Sequence, residues 1–401
     1  VSPGRRVGLA WELTSATGWG VYGAALTLGM LDQGLAPLLL KRPGLWTPDP
    51  VQAARLAPLL AEQAQLSAQV RAAGKGRLRL PMPVVKTLQP GFVPMHAGQV
   101  FYGSENIGVI FFEDTHLRPA DLDRARQLDR ILTGSTWNQR ILEGAGLTHA
   151  RCVLQGVDTA RFHPRLRRPS PPGAPLTLWS AGKLERRKGQ DLVLAAFRRY
   201  VARHPGARLL TAWQNPWPEG ARDIGVDGHV DGPPARKGDQ LDIEGWALRN
   251  GCPPGSVIDL GLRPHAALAA AMASADLAIF ASRYESGTNL PAMEALAMGL
   301  PVILSENTGH LDLIAEGRCL ALPCPHAVPP TQAGVGNDGW GALDPLDLDA
   351  ALEALTADPA RRAALGQAGR IFAESLDWGL QIPRFLAAAG LTRVDGAQPL
   401  G

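Results

Sequence analysis

Apolar runs of four or five residues, each followed by a polar or glycine-rich turn and then by a stretch with helical spacing, recur along this chain of 401 residues. Val7 to Ala10 is one such run. Thr14, Ser15, Thr17, Gly18 and Gly20 separate it from an apolar stretch beginning near Val21, so the pattern predicts strand, loop, helix. Ala36 to Leu40, Val109 to Phe112 and Ile131 to Ser135 predict further strands, the last flanked by helical segments between Asp121 and Gly146. Strands alternating with helices imply parallel pairing and an α/β sheet.

The alternation stops at Phe162 to Pro175, a stretch rich in proline and arginine that predicts an interdomain linker. It then restarts. Leu176 to Ser180, Arg208 to Ala212, Val257 to Leu260, Leu277 to Phe280 and Pro301 to Leu304 read as strands; Gln190 to Arg203, a segment ending at Ala273 and one starting near Pro291 read as helices. Trp213 to Asn250 has no clear period and reads as a long loop or insertion. Asp344 to Arg370 returns to helical spacing, and Trp378 to Ala389 predicts a last helix that returns to the first domain. The expected division is residues 1–165, 166–378 and 379–401: two Rossmann-like domains and a returning helix with its tail.

Composition narrows the classes of function. Hydrophobic residues make up 45% and charged residues 19%, as in a globular protein. The net charge of +3 comes from 40 basic and 37 acidic residues spread over the whole length, which argues against a nucleic-acid partner. Cys152, Cys252, Cys319 and Cys324 form neither a disulfide framework nor a zinc spacing, which fits a reducing cytoplasm. Val1 to Arg6 is short and polar, so neither a signal peptide nor a spanning helix is expected. Peripheral contact with the inner face of a membrane stays open.

The candidate chemistry sits where strands end. Lys183 and Lys188 lie five positions apart in a loop between a strand and a helix, where two ammonium groups can converge on one diphosphate. A charged surface turn is the alternative. Arg283 to Glu294 also joins a strand to a helix. Pro291 suits the first helical turn, and the amides of Gly287, Thr288, Asn289 and Leu290 would face an anion at the favourable end of the helix dipole. Glu294 can reach back to two vicinal hydroxyls, as a ribose offers, and Glu285 can accept hydroxyls of a sugar. Capping or ion pairing alone is the alternative for either glutamate. In the first half, Gly18-Trp19-Gly20 opens a helix at the carboxyl edge of the sheet, where ligand contact and a tight turn are both consistent readings. Asp114 and His116 follow the Val109 strand and suit contact with a reacting hydroxyl, or a polar loop without a ligand.

Ala181-Gly-Lys-Leu-Glu-Arg-Arg-Lys-Gly-Gln-Asp191 and Pro291-Ala-Met-Glu-Ala-Leu-Ala-Met-Gly-Leu-Pro301 resemble the group 1 glycosyltransferases. Gln155 to Pro164 and Asn307-Thr-Gly-His310 are similar to the same family, and the resemblance covers most of the chain. It implies a GT-B fold, two Rossmann-like domains facing each other across a cleft, and a retaining enzyme that moves a sugar from a nucleotide diphosphate donor to a saccharide, lipid-linked or other hydroxyl acceptor. It implies no cofactor and no bound metal. Asp121-Leu-Asp123, the nearest approach to a metal-diphosphate motif, falls in an expected helix. By the resemblance Lys183 and Lys188 bind the diphosphate, Glu294 the ribose and Glu285 the donor sugar. The expected catalytic set is His116, Asp114, Lys183, Lys188 and Glu285, and the expected donor set adds Gly18, Gly20, Gly287, Thr288, Asn289, Leu290 and Glu294. One departure stands out: eight residues separate Glu285 from Glu294, where the family has seven. A nucleotide-sugar-binding protein without turnover and a sugar-nucleotide epimerase are the alternatives on the same architecture.

Overall fold

The predicted alternation folds into two parallel sheets, each within its own unit of the chain. A computed structural model describes residues 4–73, 76–315 and 317–392. One unit runs to Gly156 and resumes at Trp378; the other is Val157–Asp377.

In the N-terminal unit the parallel strands lie in the order Ala36–Leu39, Arg6–Ala10, Val84–Gln89, Asn106–Ile110, Arg130–Thr133, Ala150–Cys152. Helices Gly18–Asp32, Pro50–Ala73, Pro119–Ala125 and Thr136–Gly144 connect them. The helix Trp378–Ala388 packs back on this unit, its Trp378 ring 5.1 Å from that of Tyr22. Gly29 makes that approach possible, because a Cβ there would meet Ile382 at 2.6 Å.

In the C-terminal unit the order is Val257–Asp259, Arg208–Ala212, Thr177–Ala181, Leu277–Phe280, Val302–Ser305, Leu320–Leu322, again parallel throughout. The near-continuous apolar strands fit a sheet covered on both faces. Leu178, Leu192, Phe197, Leu209 and Ile279 are fully buried in one cluster between sheet and helices.

Two stretches differ from the sequence reading. The division between units falls before Phe162–Pro175, and that stretch is bound to the C-terminal unit: Phe162 is buried, Arg167 donates to the Gly299 carbonyl at 2.7 Å, and Asp276 accepts from the backbone and hydroxyl of Ser170 at 2.9 and 2.7 Å. Trp213 to Asn250 is ordered, with a 3₁₀ turn at Pro218–Ala221, a short hairpin pairing Arg236–Lys237 with Gln240–Leu241, and helix Ile243–Arg249. Trp213 and Trp246 anchor it, both buried and edge to face. Among the described residues, no helix is long and apolar enough to cross a membrane.

Candidate functional site

The strand order of the C-terminal unit reverses between Thr177–Ala181 and Leu277–Phe280. Open parallel sheets bind ligands outside the carboxyl ends of their strands at such a reversal. The loops leaving these two strands, 182–189 and 281–289, carry Lys183, Lys188 and Glu285. A glycine lets them press together: Gly189 has φ 66°, and a Cβ there would stand 1.9 Å from the Ala281 carbonyl oxygen. Any other residue would push the loops apart.

Between the loops runs a chain of alternating charges. Lys183 Nζ lies 2.9 Å from Glu185, whose other oxygen accepts from Arg187 Nε at 2.7 Å. Arg187 also donates to Glu285 at 3.1 Å, and Glu285 accepts Lys188 Nζ at 2.7 and 2.8 Å and the Ser282 hydroxyl at 2.6 Å. Three cations against two carboxylates leave a surplus of positive charge.

Burial pushes the Glu285 carboxyl up, but Lys188 and Arg187 outweigh it and hold the pKa at about 2. Glu185 is held at about 2 in the same way, burial being overcome by Arg187 and Lys183. Burial draws Lys188 below the ordinary lysine value against the pull of Glu285. An arriving anion would favour the charged ammonium.

Arg283 supports this chain from beneath. It is 1% exposed, and its guanidinium forks onto Asp191 at 2.8 and 2.6 Å while donating to the Arg186 carbonyl at 2.7 Å. Asp227, from the ordered insertion, pairs with both Arg283 and Arg186. Three separate segments are thereby fixed by one buried planar group. Lysine and arginine density alone hid this arrangement from sequence reasoning, although Asp191 ends the first segment that carries the resemblance and Arg283 opens the stretch Arg283 to Glu294.

Asn289, in the loop between the two glutamates, has φ 65° and precedes helix Leu290–Ala297. Its Nδ2 lies 3.0 Å from His310 Nε2, and His310 Nδ1 lies 3.1 Å from the Ser305 carbonyl, so the imidazole donates through Nδ1 and accepts through Nε2. Burial lowers the His310 pKa to about 4 despite the pull of Glu285, keeping the ring neutral. The Thr288 hydroxyl turns inward to Met293 Sδ, and Leu290 is buried.

Two expected sugar contacts are already engaged. Glu285 is buried and gives its oxygens to Lys188, Arg187 and Ser282, which makes it a holder of cations more than an open acceptor. Glu294 Oε1 lies 2.5 Å from His265 Nε2, a partner the sequence reading missed.

The remaining expected residues belong to the N-terminal unit. Gly20, in the first turn of helix Gly18–Asp32, lies close against Thr14, where a Cβ would stand 2.3 Å from the Thr14 amide nitrogen, so packing alone requires it. Gly18 has open space at its Cβ position. Asp114 accepts from the His116 backbone at 2.9 Å and pairs with Arg118, while the His116 side chain is exposed. Asp121 caps helix Pro119–Ala125 and pairs with Arg124 within that helix. The C-terminal unit also has a cavity of 740 Å³ lined by Leu176, Asp276 and Pro301. Those residues stand just before strands, at the opposite edge of the sheet from Lys188.

Residues 175–330 match the family model described as "Glycosyl transferases group 1". Glycogen synthase of Mycobacterium tuberculosis is 31% identical over 196 residues, which are 48% of this chain and 41% of the relative. Two solved structures share the fold over nearly the whole chain. Sucrose-phosphate synthase from Thermosynechococcus elongatus is 17% identical with TM-score 0.64, covering 96% of this chain and 98% of the other. An Anabaena protein solved with UDP and glucose is 13% identical with TM-score 0.60, covering 96% and 99%. The architecture is GT-B, and the loops bearing Lys183, Lys188, Glu285 and Glu294 all lie within residues 175–330, the part of the chain that is similar to the group 1 glycosyl transferases; the chain spans less than half the length of its glycogen synthase relative.

Proposed function

We propose that the protein is a retaining glycosyltransferase that takes a sugar from a nucleotide diphosphate donor and passes it to an acceptor hydroxyl without a bound metal. The observation that carries this reading is the charge chain at the sheet reversal, where Lys183, Arg187 and Lys188 outnumber Glu185 and Glu285. A diphosphate seated there displaces part of the carboxylate contacts and meets cations already in place, so little reorganisation is needed as charge develops on it. The cations supply the neutralisation that a metal would otherwise give. Glu294, oriented by His265, is assigned to the ribose hydroxyls, and the backbone of Gly287 to Leu290 to the donor's phosphate or sugar.

In the reaction the bond from the anomeric carbon to the diphosphate oxygen breaks, and the acceptor oxygen bonds that carbon on the same face. The acceptor proton passes to the departing phosphate oxygen, so no protein nucleophile is needed. His116, exposed beyond the end of Asn106–Ile110, is assigned to the acceptor. The fold likeness to a protein solved with UDP and glucose favours a nucleotide sugar as donor.

The test is release of nucleoside diphosphate from a panel of nucleotide sugars, with and without saccharide acceptors and with and without EDTA, and the anomeric configuration of the product by NMR. Transfer with retention and no loss in EDTA supports the proposal. Inversion, dependence on metal, or binding without turnover across the panel overturns it.

A further inference from the structure

Trp217 is 57% exposed, yet its position is fixed. Its backbone amide donates to Asn215 Oδ1 at 2.9 Å, and Asn215, itself buried, donates to the Leu184 carbonyl at 3.2 Å. The 3₁₀ turn that follows, Pro218–Ala221, seats against the same loop: a Cβ on Gly220 would stand 2.9 Å from Asn215 Nδ2 and 3.6 Å from Glu185 Cγ. The backbone at Trp217 is thus tied to the Lys183 loop, and Lys183 Nζ stands over the indole, 5.2 Å from its ring centroid. Most of the ring stays open to solvent.

We propose that Trp217, with Lys183 Nζ over its ring and Glu185 paired to that ammonium, is a platform for a pyranose ring. A pyranose has a face of C–H groups, which stack on the electron-rich face of an indole, and a rim of hydroxyls, which need charged or polar partners beside that face. Glu185 retains accepting capacity beyond its bonds to Lys183 and Arg187, because a carboxylate offers about four lone-pair sites. Lys183 supplies donors on the same side. An isolated aromatic flanked by charges suits a sugar; a protein partner would call for a contiguous apolar patch. The buried anchor at Asn215 holds the backbone that carries this exposed tryptophan, so only its two side-chain torsions lose freedom when a ligand stacks on it.

The proposal rests on the reading of the Lys183 and Glu285 loops as a nucleotide-sugar site. The pyranose has two sources, the donor's sugar and a saccharide acceptor, and one set of measurements separates them. Calorimetry with UDP, ADP, UDP-glucose and ADP-glucose is compared between the wild type, Trp217→Ala and Trp217→Phe, followed by titration of maltotriose with the nucleoside diphosphate bound. If the platform takes the donor's sugar, Trp217→Ala weakens the nucleotide sugar about tenfold and leaves the diphosphate unchanged. If it takes the acceptor, both donor affinities hold and maltotriose binding weakens by a similar factor. Trp217→Phe restores much of the loss in either case. Equal loss of diphosphate and nucleotide sugar would assign the ring to the nucleotide and overturn the proposal, as would no change in any titration. Wild-type protein that binds none of the four nucleotides refutes the reading of the site and the platform with it.

Discussion

Lys188 Nζ rests 2.7 and 2.8 Å from the two oxygens of Glu285, a residue from the loop on the other side of the sheet reversal. A lysine held so closely by a buried carboxylate is poised in the ligand-free protein and does not search for its position when an anion arrives.

Replacing Lys188 with alanine is expected to weaken nucleoside diphosphate binding at least tenfold, the loss of one charge-assisted contact of about 1.5–3 kcal/mol. Calorimetry with the diphosphate that binds the wild type measures it, and unchanged affinity removes Lys188 from the site. Glu285→Gln leaves Lys188 and Arg187 facing each other without their shared counter-charge, and denaturant unfolding should report a loss of about 3 kcal/mol.

The Arg283 fork carries a separate expectation. Arg283→Ala strands Asp191, which is fully buried, and should cost about 3–5 kcal/mol in unfolding free energy. Arg283→Lys keeps the charge but not the planar pair of donors, so it should recover only part of that loss. Full recovery by lysine would show that charge alone matters here.

Two glycines in one turn should behave oppositely. Gly20→Ala places a methyl group 2.3 Å from the Thr14 backbone and should lower the melting temperature by several degrees. Gly18→Ala meets no atom within 4 Å and should leave stability unchanged or slightly improved. If Gly18→Ala also leaves donor affinity and turnover unchanged, Gly18 is a turn residue without ligand contact.

Acid should destabilise the protein in two separable windows. The folded His310 pKa is about 4 against an unfolded value of 6.5, so the unfolded chain binds the extra proton first and stability falls as pH drops from 6.5 towards 4. Glu285, at about 2 against 4.5, contributes stability that is present above pH 4.5 and is lost as pH falls towards 2. Unfolding free energy measured against pH should lose part of its first slope in His310→Asn and part of its second in Glu285→Gln.

Strand and helix positions in the C-terminal unit were legible because buried parallel strands are unbroken apolar runs: Arg208–Ala212 and Leu277–Phe280 form where the pattern puts them. The N-terminal strand Val84–Gln89 was not, because Lys86 interrupts it; that lysine is buried over the Tyr102 ring at 3.8 Å, a contact no periodicity announces. Helix Pro50–Ala73 was hidden likewise, since its apolar residues do not gather on one helical face. The site loops were found through Lys183, Lys188, Glu285 and Glu294, whose types and spacing carry a signal. Their partners Arg187, Asp191, His265 and Asn215 come from charged runs or distant segments, and only the fold brings them together.

Asn289 narrows what this loop can become as the sequence drifts. At φ 65° a β-branched side chain is strained against its own backbone, so valine, isoleucine and threonine are disfavoured at this position, and glycine, asparagine and aspartate fit it best. Glycine would keep the path of the chain but abandon His310, and aspartate would set a second negative charge near Glu285. The choice of residue at this position is thus narrowed by the handedness of one peptide unit.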